Sequence, residues 1–325
     1  MTDIRVGVIG VGYLGYFHAE KYARLPGVQL VGVVDRSDER AAQVAETFGT
    51  RAFRDYRDLL PLVDAVSVVV PTVAHYPVAT ACLSAGRHVL LEKPMTTTLA
   101  EADELIAMAQ RQGLVLQIGH LERYNPALLA MEGHLTRPMF IESHRIGPFK
   151  PRGTDVDVVL DLMIHDIDIV LSLVPADLSF MHAVGVPVVT PSTDIANVRM
   201  VFANGCTANL TVSRVSRETM RRVRIFQPKT YISVDYATRK IFVVRLADTL
   251  GPDGLPDREV QELAFGDHDA LAAEVADFVD AVRRGRPPKV DGAAGRRALA
   301  VALEIMAQIR GQIDRYRQEL GLGAP

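Results

Sequence analysis

The first third of the chain alternates short apolar runs with amphipathic segments. The runs are rich in β-branched residues, as in strands buried on both faces of a parallel sheet, and the segments between them repeat apolar residues at helical spacing. The runs lie near Ile4–Ile9, Val28–Asp35, Ala65–Val70, His88–Glu92 and Val115–Ile118. This alternation predicts a doubly wound parallel sheet over residues 1–120.

Two of the predicted helices have clear ends. Ser37 is the expected N-cap of a helix over Asp38–Phe48, and Gly49 is its expected C-terminal stop. A second helix over Leu99–Gln112 ends in the same way at Gly113.

Beyond residue 120 the pattern changes to strands that follow one another directly. Asn204 and Gly205, a preferred pair for tight hairpin turns, separate two of them. Strands are predicted at Asn197–Phe202, Thr207–Ser213, Arg222–Gln227, Tyr231–Asp235 and Lys240–Arg245, helices at Val158–Leu173, Leu271–Arg284 and Arg296–Glu319, and loops at Gly147–Asp157 and Ala247–Asp257. Residues 121–325 are therefore expected to form an α+β domain with a mostly antiparallel sheet, the last helices packing back over the body.

Composition narrows the class of protein. The 325 residues are 48% hydrophobic and 23% charged, with a net charge of −3, which indicates a globular protein and favours neither nucleic acid nor membrane as a partner. No apolar run approaches the roughly 20 residues of a membrane span, and no signal peptide precedes the first strand, so a cytoplasmic location is expected. Cys82 and Cys206 are expected to be buried free thiols, and no metal site is predicted.

A glycine-rich turn follows the first strand. Gly10 allows the tight turn, Gly12 lets the backbone approach a pyrophosphate, and Gly15 lets helix and strand pack closely. Tyr13 and Leu14 complete the motif at the start of the helix, whose free N–H groups suit phosphate. Strand, turn and helix in this order predict a dinucleotide site, although a glycine-rich turn that binds nothing stays an alternative.

An acidic residue ends the second strand. Asp35 lies twenty residues beyond Gly15, where its carboxylate can accept hydrogen bonds from the adenosine ribose. That charge would repel a 2′-phosphate, so NAD is the predicted cofactor. Arg36 follows directly and can accept such a phosphate, which leaves NADP open.

Two further segments carry candidate catalytic groups. Lys93 stands at the carboxyl end of a strand, where ligands of open α/β sheets bind, and its ammonium group could stabilise alkoxide character; a plain surface lysine is the alternative. Asp161 and His165 are four residues apart on a predicted helix, with Asp168 three beyond. A carboxylate one turn from an imidazole suits a general base, and a solvated helical pair is the alternative.

Together these motifs resemble the Gfo/Idh/MocA oxidoreductases, named for glucose–fructose oxidoreductase and inositol dehydrogenase. The resemblance implies a Rossmann domain, a second domain whose open sheet makes subunit contacts, and a nicotinamide cofactor. It implies Lys93 as the active-site lysine, with a frequently cis bond to Pro94, and Asp161 with His165 as the acid/base pair. The glycine turn, Asp35 and Arg36 are expected to contact the cofactor. Five further residues are expected to do so: Pro71, Thr72, His75, Glu92 and Lys93.

A narrower similarity concerns the segment 119–126 and the strands after residue 213. Both are similar to the family branch that acts on UDP-N-acetylglucosamine, and a diphosphate substrate suits arginine forks. The residues expected to bind substrate are Lys93, Arg123, Tyr124, Asn125, His165 and Arg214. The expected activity is oxidation of the 3-hydroxyl of a UDP-N-acetylhexosamine by a homodimer or homotetramer. A cyclitol or monosaccharide dehydrogenase and a non-catalytic nicotinamide-binding sensor are the alternatives.

Overall fold

A computed structural model describes residues 3–149, 156–251, 254–266 and 268–319. By compactness they form two units. The first runs from the N-terminal strand to Tyr124 and also includes Asp269–Leu299; the second comprises Asn125–His268 and the last helix from Ala300 onward. The sequence-based division at residue 120 differs from this one, because it assigns Asp269–Leu299 to the second domain.

Strands and helices alternate as far as Gly119. The elements are β1 (Ile4–Ile9), α1 (Tyr13–Arg24), β2 (Val28–Val34), α2 (Asp38–Phe48), β3 (Arg51–Phe53), α3 (Tyr56–Leu59), β4 (Ala65–Val68), α4 (His75–Ser84), β5 (His88–Glu92), α5 (Leu99–Gln112) and β6 (Leu116–Gly119). Short 3₁₀ turns at Leu60–Leu62, Thr72–Ala74 and Leu121–Tyr124 join or follow them.

The rest of the chain is rich in strands. Its elements are α6 (Pro126–Glu132), β7 (Phe140–Ile146), a π-helical turn (Val159–Met163), α7 (Ile164–Leu173), β8 (Leu178–Val186), β9 (Ile195–Phe202), β10 (Thr207–Ser213), β11 (Met220–Gln227), β12 (Thr230–Asp235), β13 (Lys240–Leu250), β14 (Pro256–Ala264), α8 (Ala270–Arg284) and α9 (Gly292–Glu319).

The sheet of the first unit is parallel throughout, in the order β3-β2-β1-β4-β5-β6. This is the strand order of the Rossmann fold, in which ligands bind outside the carboxyl ends of the strands. The predicted helix ends are also confirmed. Ser37 Oγ accepts a hydrogen bond from the Arg40 amide at 3.2 Å, and both Gly49 and Gly113 are left-handed with φ of 63°.

The core of the first unit explains why α8 belongs to it. Val6 and Val8 of β1 and Tyr22 of α1 are fully buried in one hydrophobic cluster with Val275 and Phe278 of α8. Burying apolar area of this kind is the main favourable term in folding. A helix more than 250 residues from β1 in sequence therefore completes the core beneath the parallel sheet.

The sheet of the second unit has the order β14-β13-β12-β11-β7-β10-β9-β8. The adjacent strands β7 and β10 are parallel, and the other described neighbours in this sheet are antiparallel, which confirms the predicted character. Gly205, with φ of 86°, lies in the predicted hairpin between β9 and β10.

The two loops predicted in this unit have different outcomes. The loop predicted at Ala247–Asp257 is wrong in extent, because β13 continues to Leu250 and β14 begins at Pro256. The residues of that hairpin are mostly exposed, so no hydrophobic alternation marks them. The loop predicted at Gly147–Asp157 lies largely outside the described residues.

Cys82 and Cys206 are both buried and free, as predicted. Among the described helices, none is long and apolar enough to cross a membrane.

Candidate active site

The turn between β1 and α1 depends on its glycines in different ways. Gly10 has φ of 89°, and a Cβ there would lie 2.4 Å from the Val69 carbonyl oxygen. A Cβ on Gly15 would lie 1.9 Å from the carbonyl oxygen of Gly10, so that position also excludes a side chain. A Cβ on Gly12 would meet nothing within 4 Å. Gly12 therefore faces open space, as a backbone that cradles a ligand must.

That open space is a cavity of about 720 Å³ at the carboxyl ends of β1, β2, β4 and β5. Its position agrees with the rule for ligand sites in doubly wound sheets. Among the residues predicted to contact the cofactor, all line it except Tyr13 and Gly15: Gly10, Gly12, Leu14, Asp35, Arg36, Pro71, Thr72, His75, Glu92 and Lys93. Tyr13 is instead largely exposed and packs edge-on against Phe17.

Asp35 is held in place by backbone donors. Its Oδ2 accepts from the Val11 amide at 3.0 Å, and its Oδ1 accepts from the Ser37 amide at 2.9 Å. The Arg40 guanidinium lies 3.4 Å from the same Oδ1. A carboxylate has about four acceptor sites, so these contacts fix Asp35 and leave room for ribose hydroxyl donors.

Sequence reasoning missed three arginines at this end of the cavity. Arg40, Arg54 and Arg57 line it together with Arg36. Each of the three pairs with an aspartate: Arg40 with Asp35, Arg54 with Asp38 and Arg57 with Asp55. The strand β3 that precedes Arg54 has three residues, too few to show a period, but Asp55 is a sequence-readable N-cap of α3 that would have revealed the turn.

His75 connects the loops that follow β4 and β5. Its Nδ1 lies 2.8 Å from the Pro94 carbonyl oxygen and its Nε2 lies 2.8 Å from that of Val70. Burial lowers the pKa of His75, against a smaller upward effect of these carbonyl groups. A neutral ring can donate to one carbonyl at a time, and either bond holds His75 against the cavity wall.

Lys93 follows the last residue of β5. Its peptide bond to Pro94 is cis, as predicted. The Glu92 carboxylate accepts from the Lys93 amide at 3.2 Å and lies 3.2 Å from His18 Nε2. A Cβ on Gly119 would come within 2.8 Å of Glu92 Oε1, so the neighbouring strand leaves space for this carboxylate.

Asp161 and His165 belong to the second unit, where the helix is not regular. Asp161 lies in the π-helical turn Val159–Met163, and His165 lies in the first turn of α7. Both side chains are half-buried. The prediction of one continuous α-helix over Val158–Leu173 is therefore wrong for its first part, and Asp161 and His165 do not have standard i,i+4 helical geometry. Such π-turns are frequent at functional sites.

The best-defined ion pair of this helix is formed by Asp166, the next acidic residue after Asp161. Asp166 is 1% exposed; its Oδ2 accepts from Arg145 Nε at 2.7 Å and its Oδ1 from the Ser143 hydroxyl at 3.0 Å. Arg145 also lies over the Tyr236 ring at 5.7 Å. Buried charges need partners of this kind, so Arg145 and Asp166 connect α7 to β7.

The residues predicted to bind the diphosphate sugar fall in both units. Arg123 is half-buried in the turn Leu121–Tyr124 of the first unit. Tyr124 is buried; its hydroxyl donates to Asp277 at 2.8 Å, and burial together with Asp277 raises the pKa of Tyr124. Asn125 caps α6 by accepting from the Ala127 amide at 3.1 Å. Within the described residues, none of the predicted set 123–125 lines the dinucleotide cavity.

Arg214, the remaining predicted substrate residue, is buried and lies outside that cavity. Its Nε is 3.7 Å from Asp194 Oδ1, and its guanidinium donates to the Val156 carbonyl. Burial opposes the ionisation of Asp194, but amide donors of residues 188–190 lower its pKa to about 2. Arg214 is thus part of a structural ion pair in the second unit.

Comparison with known proteins agrees with this architecture. Residues 4–120 match the model of the Gfo/Idh/MocA oxidoreductase family with an NAD-binding Rossmann fold, and residues 128–233 match the model of the Gfo/Idh/MocA C-terminal domain.

Individual relatives cover nearly the whole chain. UDP-N-acetylglucosamine 3-dehydrogenase of Acidithiobacillus ferrooxidans is 45% identical over 97% of this chain and 100% of its own, and its solved structure superposes with a TM-score of 0.90 over 96% and 99%. Myo-inositol 2-dehydrogenase of Thermotoga maritima is 28% identical over 91% and 93%. A scyllo-inositol dehydrogenase of Lactobacillus casei, solved with NAD(H), shares the fold at 18% identity and a TM-score of 0.79, covering 96% and 98%. The chain, with its parallel nucleotide-binding sheet and its largely antiparallel second sheet, therefore belongs to the Gfo/Idh/MocA family of oxidoreductases.

Proposed function

We propose that this protein is an NAD-dependent dehydrogenase that oxidises the 3-hydroxyl of UDP-N-acetylglucosamine. The full-length similarity to a UDP-N-acetylglucosamine 3-dehydrogenase is the observation that carries the proposal. Inositol dehydrogenases are related at lower identity, which favours the nucleotide sugar over a free cyclitol.

The cavity fits the cofactor. Open space at Gly12, the amide groups at the start of α1 and the fixed carboxylate of Asp35 would hold the pyrophosphate and the adenosine ribose. When bound, nicotinamide supplies an acceptor for hydride. The negative charge of Asp35 favours NAD over NADP, because it repels a 2′-phosphate.

The catalytic roles follow from the chemistry of the side chains. Lys93, at the cavity wall, donates a hydrogen bond to the reacting hydroxyl oxygen and stabilises its growing negative charge. His165 removes the hydroxyl proton, and Asp161 orients the imidazole and stabilises its charged form. Half-burial of both residues suits this role, since a proton acceptor must be reachable by substrate.

Arg123 is the proposed diphosphate ligand. It is half-buried in the turn Leu121–Tyr124, and a partly exposed arginine suits the two phosphates of the substrate. The choices of C3 as the oxidised carbon and of a nucleotide sugar as the substrate are parts of this same proposal.

The proposed assembly is a homodimer or homotetramer in the cytoplasm. One face of the second sheet carries a row of aromatic rings, Phe140, Phe226, Tyr231 and Phe242, with centroid separations of 5.1 to 6.3 Å. An apolar row of this kind suits a subunit interface. Sedimentation velocity tests it, and a monomer at micromolar concentration would contradict it.

A substrate panel tests the activity directly. With NAD, UDP-N-acetylglucosamine should produce NADH and a 3-keto sugar, while myo-inositol and free N-acetylglucosamine should not. At about 100 times its dissociation constant the nucleotide sugar should also add roughly 2.7 kcal/mol of stability, measured as a rise in melting temperature. Arg123→Gln should reduce that rise. Efficient turnover of inositol without any effect of the UDP-sugar would reject the proposed substrate. The family assignment would still stand.

A further inference from the structure

Three ionisable side chains meet beneath the dinucleotide cavity. They are His18 of α1, Glu92 of β5 and Glu274 of α8, and one nitrogen or oxygen atom from each lies within 4.8 Å of the others. All three are buried, His18 and Glu274 completely. Glu92 also lines the cavity and precedes Lys93, so this His18–Glu92–Glu274 cluster lies directly behind the proposed active-site lysine.

Two members of the cluster have hydrogen-bond partners. His18 Nε2 lies 3.2 Å from Glu92 Oε1, and His18 Nδ1 lies 3.2 Å from Ser67 Oγ, which lies 2.8 Å from the Tyr22 hydroxyl. Glu92 also accepts from the Lys93 amide. The Glu92 carboxylate therefore contacts both His18 and the Lys93 amide.

Glu274 differs from Glu92 in this respect. Both of its carboxyl oxygens are buried and have no hydrogen-bond partner among the described residues. The titratable groups that face it are His18 and Tyr22 of α1, Glu92 of β5, Tyr124 of the turn after β6, and Asp277 of α8 itself. Gln117 of β6 donates to its backbone carbonyl and not to its side chain. An ionised Glu274 would face two carboxylates with no donor of its own.

We propose that Glu274 is a protonated carboxylic acid at neutral pH and a positioning residue for Glu92 and, through Glu92, for Lys93. The positioning role rests on the proposed function, but the protonation does not. A neutral Glu274 lets Glu92 remain against His18 and Gly119. An ionised Glu274 would repel Glu92 and displace the end of β5 that carries Lys93. Burial, followed by the charges of Glu92 and Asp277, raises the pKa of Glu274 well above its usual value, in agreement with this geometry.

A divalent cation is the competing explanation, since one imidazole and two carboxylates are a plausible ligand set. A proton on Glu274 accounts for the cluster without any further ligand, because the contacts of His18 are ordinary hydrogen-bond contacts. His18 and Glu92 contact one another directly at 3.2 Å, and His18 Nδ1 already contacts Ser67. One proton on Glu274 then removes the excess negative charge without a metal.

Infrared spectroscopy of the protein without substrate tests the protonation. At pH 7 the wild type should show the carbonyl stretch of a buried carboxylic acid, and this band should be absent from Glu274→Gln. It should persist in Glu92→Gln, the matched variant of the neighbouring carboxylate. Absence of the band from the wild type, or its loss only in Glu92→Gln, would overturn the assignment. So would a stoichiometric metal in purified wild type that Glu274→Gln lacks.

The pH dependence of stability gives a second test. Because the pKa of Glu274 is raised on folding, its contribution is fully present below the unfolded value of about 4.3 and is lost as the pH rises through the folded value. Glutamine does not titrate. The melting temperature of Glu274→Gln relative to wild type should therefore increase between about pH 5 and 8, by roughly 3 °C or more. Glu46→Gln, at an exposed site, should show no such trend, and a flat difference for Glu274→Gln would contradict the proposal.

Kinetics test the positioning role. Glu274→Gln should retain kcat within about twofold at pH 7, because glutamine matches the shape of the neutral acid. At alkaline pH the wild type should lose kcat as Glu274 ionises, with little change in the KM for NAD, and the variant should not. Identical pH profiles would reject the positioning role even if the infrared band confirmed the proton. If no substrate of the proposed class were turned over, the infrared and melting results would still decide the protonation.

Discussion

The two units place their arginines in different surroundings. In the first unit Arg36, Arg40, Arg54 and Arg57 line an open cavity, and the last three have side chains more than half exposed. In the second unit Arg145 and Arg214 are less than 10% exposed and pair with Asp166 and Asp194. The same residue type therefore lies exposed at a cavity wall in one unit and forms buried ion pairs in the other. Counting arginines along a sequence cannot separate these roles, because burial and partners decide them.

The largest expected effect concerns His165, a half-buried group of the second unit that we assign to chemistry. His165→Ala and Asp161→Asn should each lower kcat by roughly 10²–10⁴, because a positioned base contributes a factor of that size. The Kd for NAD should change little, since the residues that line the cofactor cavity belong to the first unit. Stopped-flow NADH formation and NAD titration measure the two quantities. If both variants kept nearly full activity, Lys93 would be the better candidate for the base.

The next effect concerns the buried pair. Arg145→Ala should lower the free energy of unfolding by about 3–5 kcal/mol, because it leaves the Asp166 carboxylate buried without its charge partner. Arg224→Ala is the matched control, since Arg224 pairs with Glu142 at a partly exposed site and should cost about 1 kcal/mol or less. Urea unfolding measures both. Equal losses for the two variants would contradict the distinction between buried and exposed arginine pairs.

The smallest effect concerns cofactor choice at the open cavity. Asp35→Ala should weaken NAD binding by about 1.5–3 kcal/mol through the loss of charge-assisted hydrogen bonds, and NADP binding much less. Fluorescence titration with both cofactors measures this difference. Wild-type protein that bound NAD and NADP equally would show that Asp35 does not select between the two cofactors.

The sequence predicts the first unit better than the second for a physical reason. One strand-turn-helix-strand segment contains Gly10, Gly15 and Asp35. Their spacing along the sequence is therefore enough to predict the dinucleotide site. Arg54, which follows β3, and Arg57 of α3 approach that segment only after folding, and the three residues of β3 are too few to show a period.

In the second unit the decisive contacts join residues distant in sequence. β7 and β8 were not predicted, and α7 meets β7 through Asp166 and Arg145. Helical periodicity identified the segment that carries Asp161 and His165, but it could not reveal the π-turn, because a single extra residue hardly disturbs the pattern. Glu274 completes the cluster under the cavity. It lies on α8, and no local sequence pattern shows that this helix belongs to the first unit.

The π-helical turn before α7 has a consequence for the direction of the side chains that precede this helix. Such a turn is equivalent to one residue inserted into an α-helix without breaking it. Since each α-helical residue turns the chain by about 100°, removing one residue from Val159–Met163 would rotate the preceding segment by that angle relative to α7. A one-residue deletion here would thus change the direction of the side chains before α7, and Asp166 would keep its contact with Arg145. The turn therefore sets the direction of the residues before α7 independently of the Arg145–Asp166 pair.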